Sequence, residues 1–244
     1  MMNKIESTQN SIIKAVAKLH LTKERKKQKQ FIVEGIRAVT TFLKNGYTPV
    51  HLFITKEFSE LSLKETTYVS ESVMKKISSA TTPSGMLAVF AFPKNPDPQN
   101  LSSGAILANI TDPGNMGTLI RSAAAFGHKS IVIIDGCDVF SPKVIQATAG
   151  VFPLINIFVW SWQELQQHKG NKKLIALVVK EGKAPQNISF ENALFVIGNE
   201  AHGIKDTWIK ECDELLTLPM PGNTESLNAG VAGSIALSLP TLFT

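Results

Sequence analysis

Three stretches of this 244-residue chain combine residue types that can do chemistry. The first, "DPGNMGTLIRSAAAFG" (Asp112–Gly127), sets Asn115, Gly117 and Arg121 within one short segment. Asp-Pro-Gly fixes a tight bend, Asn115 suits an N-cap, Met116 to Phe126 can run helical and Gly127 suits the stop. A solvated arginine on a closely packed helix explains Ala123, Ala124 and Ala125, but leaves the pairing of Asn115 with Arg121 without a purpose. The second stretch, "IGNEAHGI", brackets Glu200 with Gly198 and Gly203 directly after an apolar run. Glycines let a backbone approach a ligand closely, and a carboxylate there can hold ribose hydroxyls or a cation. The third, "LPMPGNTESLNAG", sets Ser226 and Asn228 beside Leu218, Met220 and Leu227. Polar groups in an apolar wall suit a small ligand with an aromatic ring. Its plainer reading is that Asn223 or Thr224 caps a final helix.

Several chemistries lack their signatures. There is no G-x-G-x-x-G and no G-x-x-x-x-G-K-S/T, so dinucleotide and P-loop sites are without their fingerprints. Ser226 has no G-x-S-x-G elbow and is a poor candidate for a hydrolase nucleophile. Cys137 and Cys212 are too few and too far apart for a disulfide framework or a zinc knuckle, and five scattered histidines give no metal site.

The elements around these stretches alternate. "AILANI", "SIVIID", "LINIFVW", "KLIALVV" and "ALFVIG" read as strands buried on both faces. Helices lie between them: "SPKVIQATAG" with Ser141 as cap and Pro142 at the first helical position, and "SWQEL" as a capping box. This predicts an α/β fold, a mostly parallel sheet flanked by helices, with ligands at the carboxyl ends of the strands. All three chemical stretches fall there. "KNPDPQN" is a linker, which gives a front domain over 1–95, a linker over 96–100 and a second domain over 101–244. The front domain reads as α/β/α. An amphipathic helix (Ile12, Ile13, Val16, Leu19) leads into "QFIVEG", and a second helix carries Ile36, Val39, Phe42 and Leu43. Strands at 50–54, 66–69 and 86–92 and a helix over 71–77 complete it.

The net charge of +5 is unevenly spread. Residues 1–95 carry a balance of +8 and the remainder −3, with seven cations against one glutamate between Lys14 and Gln30. Such a cluster is the footprint of a polyanion binder, and Lys23, Arg25, Lys26, Lys27, Lys29 and Arg37 are the candidate contacts. A solvated helix end is the plainer alternative. The apolar runs are strand-sized, far short of a membrane span. The polar N-terminus has no signal-peptide core, so a cytoplasmic location without a membrane partner is expected.

Taken together, Asn115-x-Gly117-x-x-x-Arg121, Gly198-x-Glu200-x-x-Gly203 and Leu218-Pro-Met-x-Gly222…Ser226-Leu-Asn228 resemble, in order and spacing, three signature motifs. These are the motifs of the SpoU (TrmH-like) RNA ribose 2′-O-methyltransferases of the SPOUT superfamily. "SPKVIQATAG" resembles the segment after the first motif. "FIVEGIRAVTTFL" and "TTPSGMLAVF" resemble the L30-like substrate-binding domain often fused in front, so the likeness covers nearly the whole chain.

The resemblance implies more than periodicity could. The second domain would be a SPOUT fold whose C-terminal segment makes a trefoil knot, an exception to the rule against knots. S-adenosylmethionine would sit in that knot, with Gly198, Leu218 and Leu227 at the family's cofactor contacts and Met220 in the same wall. Asn115, Arg121, Glu200, Ser226 and Asn228 match its active-site positions, Arg121 orienting the 2′-hydroxyl and Asn115 fixing the arginine. Two subunits would share each site in a homodimer, with no metal. Ribosomal RNA is the favoured substrate, transfer RNA its rival, and a noncatalytic RNA-binding protein on the same fold the alternative. Two departures stand out: Ala229 and Gly230 replace the usual Val-Ser after "SLN", and Pro240 should cut the last helix short.

Overall fold

A computed structural model of the chain describes residues 3–55, 66–222 and 224–243. Two compact units form, Met1–Lys94 with Phe140–Pro153, and Asn95–Val139 with Leu154–Thr244. The first begins with β1 (Asn3–Ile5), α1 (Ser11–Lys18), α2 (Thr22–Gln28), β2 (Gln30–Glu34) and α3 (Ile36–Lys44). β3 (Pro49–Ile54), β4 (Thr67–Val69), α4 (Glu71–Ile77) and β5 (Met86–Ala91) follow. Its sheet runs β1-β4-β3-β5-β2, with β5 antiparallel to both neighbours. α1 and α4 bury Ile13, Val16, Leu19, Val73, Met74 and Ile77 against Ile32, Phe53, Leu87 and Val89. The i, i+3, i+6 spacing of the α1 residues makes that stripe.

The basic run is divided between two helices instead of forming one helix end. Leu21 opens α2, which holds four of the cations, and Lys29 closes it in the left-handed conformation. Arg25 turns inward: it is 2% exposed and donates to the Leu19 carbonyl at 2.7 Å and the Thr22 hydroxyl at 2.9 Å. A buried guanidinium needs such acceptors, so Arg25 serves the core and leaves the set of expected RNA contacts. Lys23, Lys26, Lys27, Lys29 and Arg37 are exposed.

The second unit opens with β6 (Gly104–Ala108), α5 (Pro113–Ala125) and β7 (Ser130–Ile134). The chain then gives α6 (Pro142–Ala147) to the first unit and returns with β8 (Asn156–Val159), α7 (Trp162–His168) and β9 (Lys173–Leu177). β10 (Ala193–Ile197), α8 (Asp206–Ile209), β11 (Glu214–Leu216) and α9 (Ala229–Leu242) complete it. All six strands are parallel in the order β11-β9-β10-β6-β7-β8, and β6, β7 and β10 are buried throughout. That is the burial their continuous apolar composition requires. Val196 faces the layer of α7 and α8, where Trp162 and Trp208 stack at 4.9 Å. Ile197, of opposite parity, faces α9 at Gly233.

Two expectations need correction. Phe140–Pro153, placed by its sequence position in the second domain, belongs to the first unit. Phe140 and Phe152 join Phe31, with Phe152 stacked on Phe42, and a Cβ at Gly150 would lie 3.0 Å from Ala38 Cα. Its caps are as read, Ser141 accepting from Val144 N–H, but caps say nothing of which core receives a helix. Pro240 does not end α9, which continues through it to Leu242. So near the C-terminus a missing N–H disturbs only the last turn.

Candidate active site

The motif-one turn is capped one step earlier than expected. Asp112, not Asn115, is the N-cap of α5: its carboxylate accepts from Asn115 N–H at 2.7 Å, and Pro113 takes the first helical position. Asn115 is thereby released to use its side chain elsewhere. Its amide donates to the Glu200 carboxylate, joining the first motif to the second. Asn115 and Arg121 are six residues apart and so roughly 120° apart around the helix. Asn115 therefore does not fix the arginine. Arg121 is exposed, and its side chain makes no hydrogen bond or ion pair among the described residues.

The second motif folds tightly after β10. Asn199 and Gly203 exchange both backbone hydrogen bonds, at 3.1 and 2.9 Å. A Cβ on Gly198 would lie 2.4 Å from the Gly203 carbonyl carbon and 2.6 Å from Ile204 N, so only glycine fits. The Asn199 side chain accepts from Ala201 and His202 N–H and donates to the Asn109 carbonyl at the end of β6. Sequence reading missed Asn199; an asparagine followed by a short polar stretch is its only local signal, that of an Asx-turn.

The third motif leads into α9. Asn228 is the cap, its side chain accepting from Val231 N–H at 3.2 Å. Thr224 is therefore not the cap, and Asn223 lies outside the described residues. Small residues let α9 settle on α5. A Cβ on Gly233 would meet Leu119 Cδ2 at 2.4 Å, and one on Gly230 would meet Asn115 Oδ1 at 2.9 Å. Ser234 donates to the Gly230 carbonyl, so at 2.7 Å Ser122 donates to Ser234. Buried His128 donates from Nε2 to the Leu237 carbonyl, while its burial pushes the imidazole pKa down.

Loop two, the third motif and the ends of β9 and β10 enclose a pocket of ≈ 260 Å³. Gly198, Leu218, Met220 and Leu227 line it, as do Glu200 and Ser226. Its volume is close to the lower end of small-molecule sites, and its wall mixes apolar side chains with a few polar groups. Leu218 is buried and Leu227 half-exposed. Asn115, Arg121 and Asn228 are not among the lining residues. Ala229 is, so one of the two departures touches the pocket directly. A larger polar cleft of ≈ 770 Å³ beside Trp162, Gln166 and Lys205 holds none of the expected site residues, and size alone does not make it the site. Beside α5, burial pushes the Cys137 thiol up to about 11, which leaves it unreactive near neutral pH.

Residues 104–238 match the SpoU rRNA Methylase family. The chain belongs to that family. Residues 10–88 match the MRM3-like substrate binding domain. The chain is 30% identical over 256 residues to the "Uncharacterized tRNA/rRNA methyltransferase slr1673" of Synechocystis, covering 96% of this chain and 91% of that protein. It is 29% identical to the 23S rRNA (guanosine(2553)-2′-O)-methyltransferase RlmP of Bacillus subtilis, covering 96% and 97%. Among solved structures, one titled as an RNA 2′-O ribose methyltransferase superposes with a TM-score of 0.82 at 27% identity, covering 98% of each chain. As a SpoU family member, the protein presents its second and third motifs on one pocket and its first motif on the adjoining helix α5.

Proposed function

We propose that this protein methylates the 2′-hydroxyl of a ribose in RNA, with S-adenosylmethionine as methyl donor and ribosomal RNA as substrate. The observation that carries the reading is the convergence of Gly198, Glu200, Leu218, Met220, Ser226 and Leu227 on one small pocket. Gly198, where any Cβ would strike the Gly203–Ile204 backbone, lets loop two fold tightly at the pocket, and Leu218, Met220 and Leu227 give an apolar wall suited to an aromatic ring. Bound there, S-adenosylmethionine supplies an electrophilic methyl group. Arg121 offers a cation with free donors that can grip the target phosphate and orient the hydroxyl. As a base it is unsuited, because a guanidinium keeps its proton in proteins. Glu200, tied to Asn115, and Ser226 present polar atoms at the pocket, and Asn228 acts as the cap that sets the start of α9.

Ribosomal RNA is favoured over transfer RNA by the matched front domain and by the 23S rRNA methyltransferase relative, while the exposed Lys23, Lys26, Lys27, Lys29 and Arg37 offer the phosphate contacts that either RNA would need. The reading includes a homodimer. Val231 and Ile235 form an apolar stripe on α9, 48% and 39% exposed, and Arg121 sits outside the lining of its own chain's pocket. A knotted C-terminal segment and a cytoplasmic location belong to the same reading. Calorimetry with S-adenosylmethionine, NAD and ATP tests the cofactor, and 2′-O-methyl mapping of RNA from cells with and without the gene tests the substrate. Saturable NAD binding with no response to the sulfonium compound would overturn the proposal.

A further inference from the structure

One side chain holds the second motif to the rest of the sheet. Asn199 uses every polar atom it has. Its Oδ1 accepts from Ala201 N–H at 2.8 Å and His202 N–H at 3.2 Å, and its Nδ2 donates to the Asn109 carbonyl at 2.9 Å. Asn109 is itself a fixed point: it ends β6 in the left-handed conformation (φ 59°), and its N–H donates to the Ile134 carbonyl of β7. The amide of Asn199 thus ties the exit of β10 to the exits of β6 and β7. The residue it delivers is Glu200, whose carboxylate takes the Asn115 amide and whose loop walls the pocket.

We propose that Asn199 is the positioning residue of the transfer reaction, holding Glu200 and the pocket wall at Gly198–Ala201 in the reactive arrangement. The inference rests on the methyltransferase reading above and adds a role within it. The chemistry is restrictive, because the group must accept two N–H bonds and donate one at the same time. A carboxylate accepts both but gives no donor, and it sets its charge against the Asn109 carbonyl. Glutamine is one methylene too long for the same turn, and alanine gives neither function. Loop geometry held this way needs no reorganisation when substrate arrives, which is what catalytic positioning requires.

The test compares the parent with Asn199→Asp and Asn199→Ala in single-turnover methyl transfer, with cofactor and RNA saturating. Cofactor affinity and thermal unfolding are measured on the same samples. Near pH 8 the Asn199→Asp rate should fall by about tenfold or more at full cofactor occupancy, since ångström-scale displacement costs that much or more. The introduced carboxylate keeps its charge over the assay range, because it would still accept the two loop N–H bonds that favour its ionised form. With no proton to give the Asn109 carbonyl, it lacks the donor that the parent amide supplies. Asn199→Ala, which has neither the acceptor nor the donor, should be at least as slow. A merely structural role would lower the unfolding temperature yet leave the rate of folded, saturated enzyme unchanged. If Asn199→Ala does not fold, the single-turnover rate of folded, cofactor-saturated Asn199→Asp decides alone. A parent-like rate for folded Asn199→Asp at full cofactor occupancy overturns the proposal while the methyltransferase reading stands. A parent that binds no S-adenosylmethionine and methylates no RNA overturns both.

Discussion

Replacing Gly198 by alanine tests the geometry of the pocket with a single methyl group. Its Cβ would sit 2.4 Å from the Gly203 carbonyl carbon, 2.6 Å from Ile204 N and 2.7 Å from the Gly203 oxygen. Carbon contacts are most favourable near ~3.5–4.0 Å, so one side of the loop must retreat by about 1 Å. All three obstacles are backbone, and the Asn199–Gly203 pair of hydrogen bonds resists their movement. Overpacking of this kind costs about 1–3 kcal/mol. If the loop yields only when the pocket is empty, cofactor affinity should weaken by about 5- to 150-fold. If the cost falls on folding, the unfolding temperature should drop by roughly 2–10 °C. Calorimetry with S-adenosylmethionine and thermal unfolding read the two together. Gly222→Ala is the control, since a Cβ there meets nothing within 4 Å, and it should change neither quantity. Parent-like affinity together with parent-like stability in Gly198→Ala would refute the close approach and the loop geometry built on it.

Arg121→Ala should bind S-adenosylmethionine normally and keep its fold, because Arg121 is exposed outside the pocket and alanine favours a helix. Its single-turnover rate should fall by at least about a hundredfold, and a near-normal rate would remove the arginine from the mechanism. Lys23, Lys26 and Lys27 changed together to glutamine should weaken RNA binding and flatten its salt dependence at unchanged stability, as read by filter binding across a salt series. Arg25→Gln should behave oppositely, costing roughly 1.5–3 kcal/mol of stability in denaturant unfolding through its lost charged hydrogen bonds. Val231→Glu with Ile235→Glu should give monomers in sedimentation, and an unchanged mass would detach the α9 stripe from self-association.

The sequence by itself determined the parallel sheet, because strands buried on both faces must be apolar without interruption, as "SIVII" and "ALFVI" are. It also determined local starts and stops: Ser141 with Pro142, the Ser161–Glu164 capping box and the limits of α4 are set by neighbours within a few residues. Residue types alone left the second and third motifs as separate loops at the carboxyl ends of strands; it was their resemblance to the SpoU motifs, in order and spacing, that put them at one expected ligand site. Only the tertiary structure decided where long-range partners lie. Arg25 looked like its neighbours until the Leu19 carbonyl and Thr22 hydroxyl took it inside. Asn115 looked like a cap, but Asp112 is the cap and Asn115 reaches Glu200 instead, 85 residues away. Phe140–Pro153 carried the signals of a helix but none of its destination, which the aromatic cluster around Phe31 set. Asn199 was silent for the same reason: its worth lies in the Asn109 carbonyl, a partner 90 residues distant that no local pattern encodes. Short-range hydrogen bonds and periodicity are written in neighbouring residues, whereas burial and side-chain pairing depend on which surfaces meet when the sheet closes.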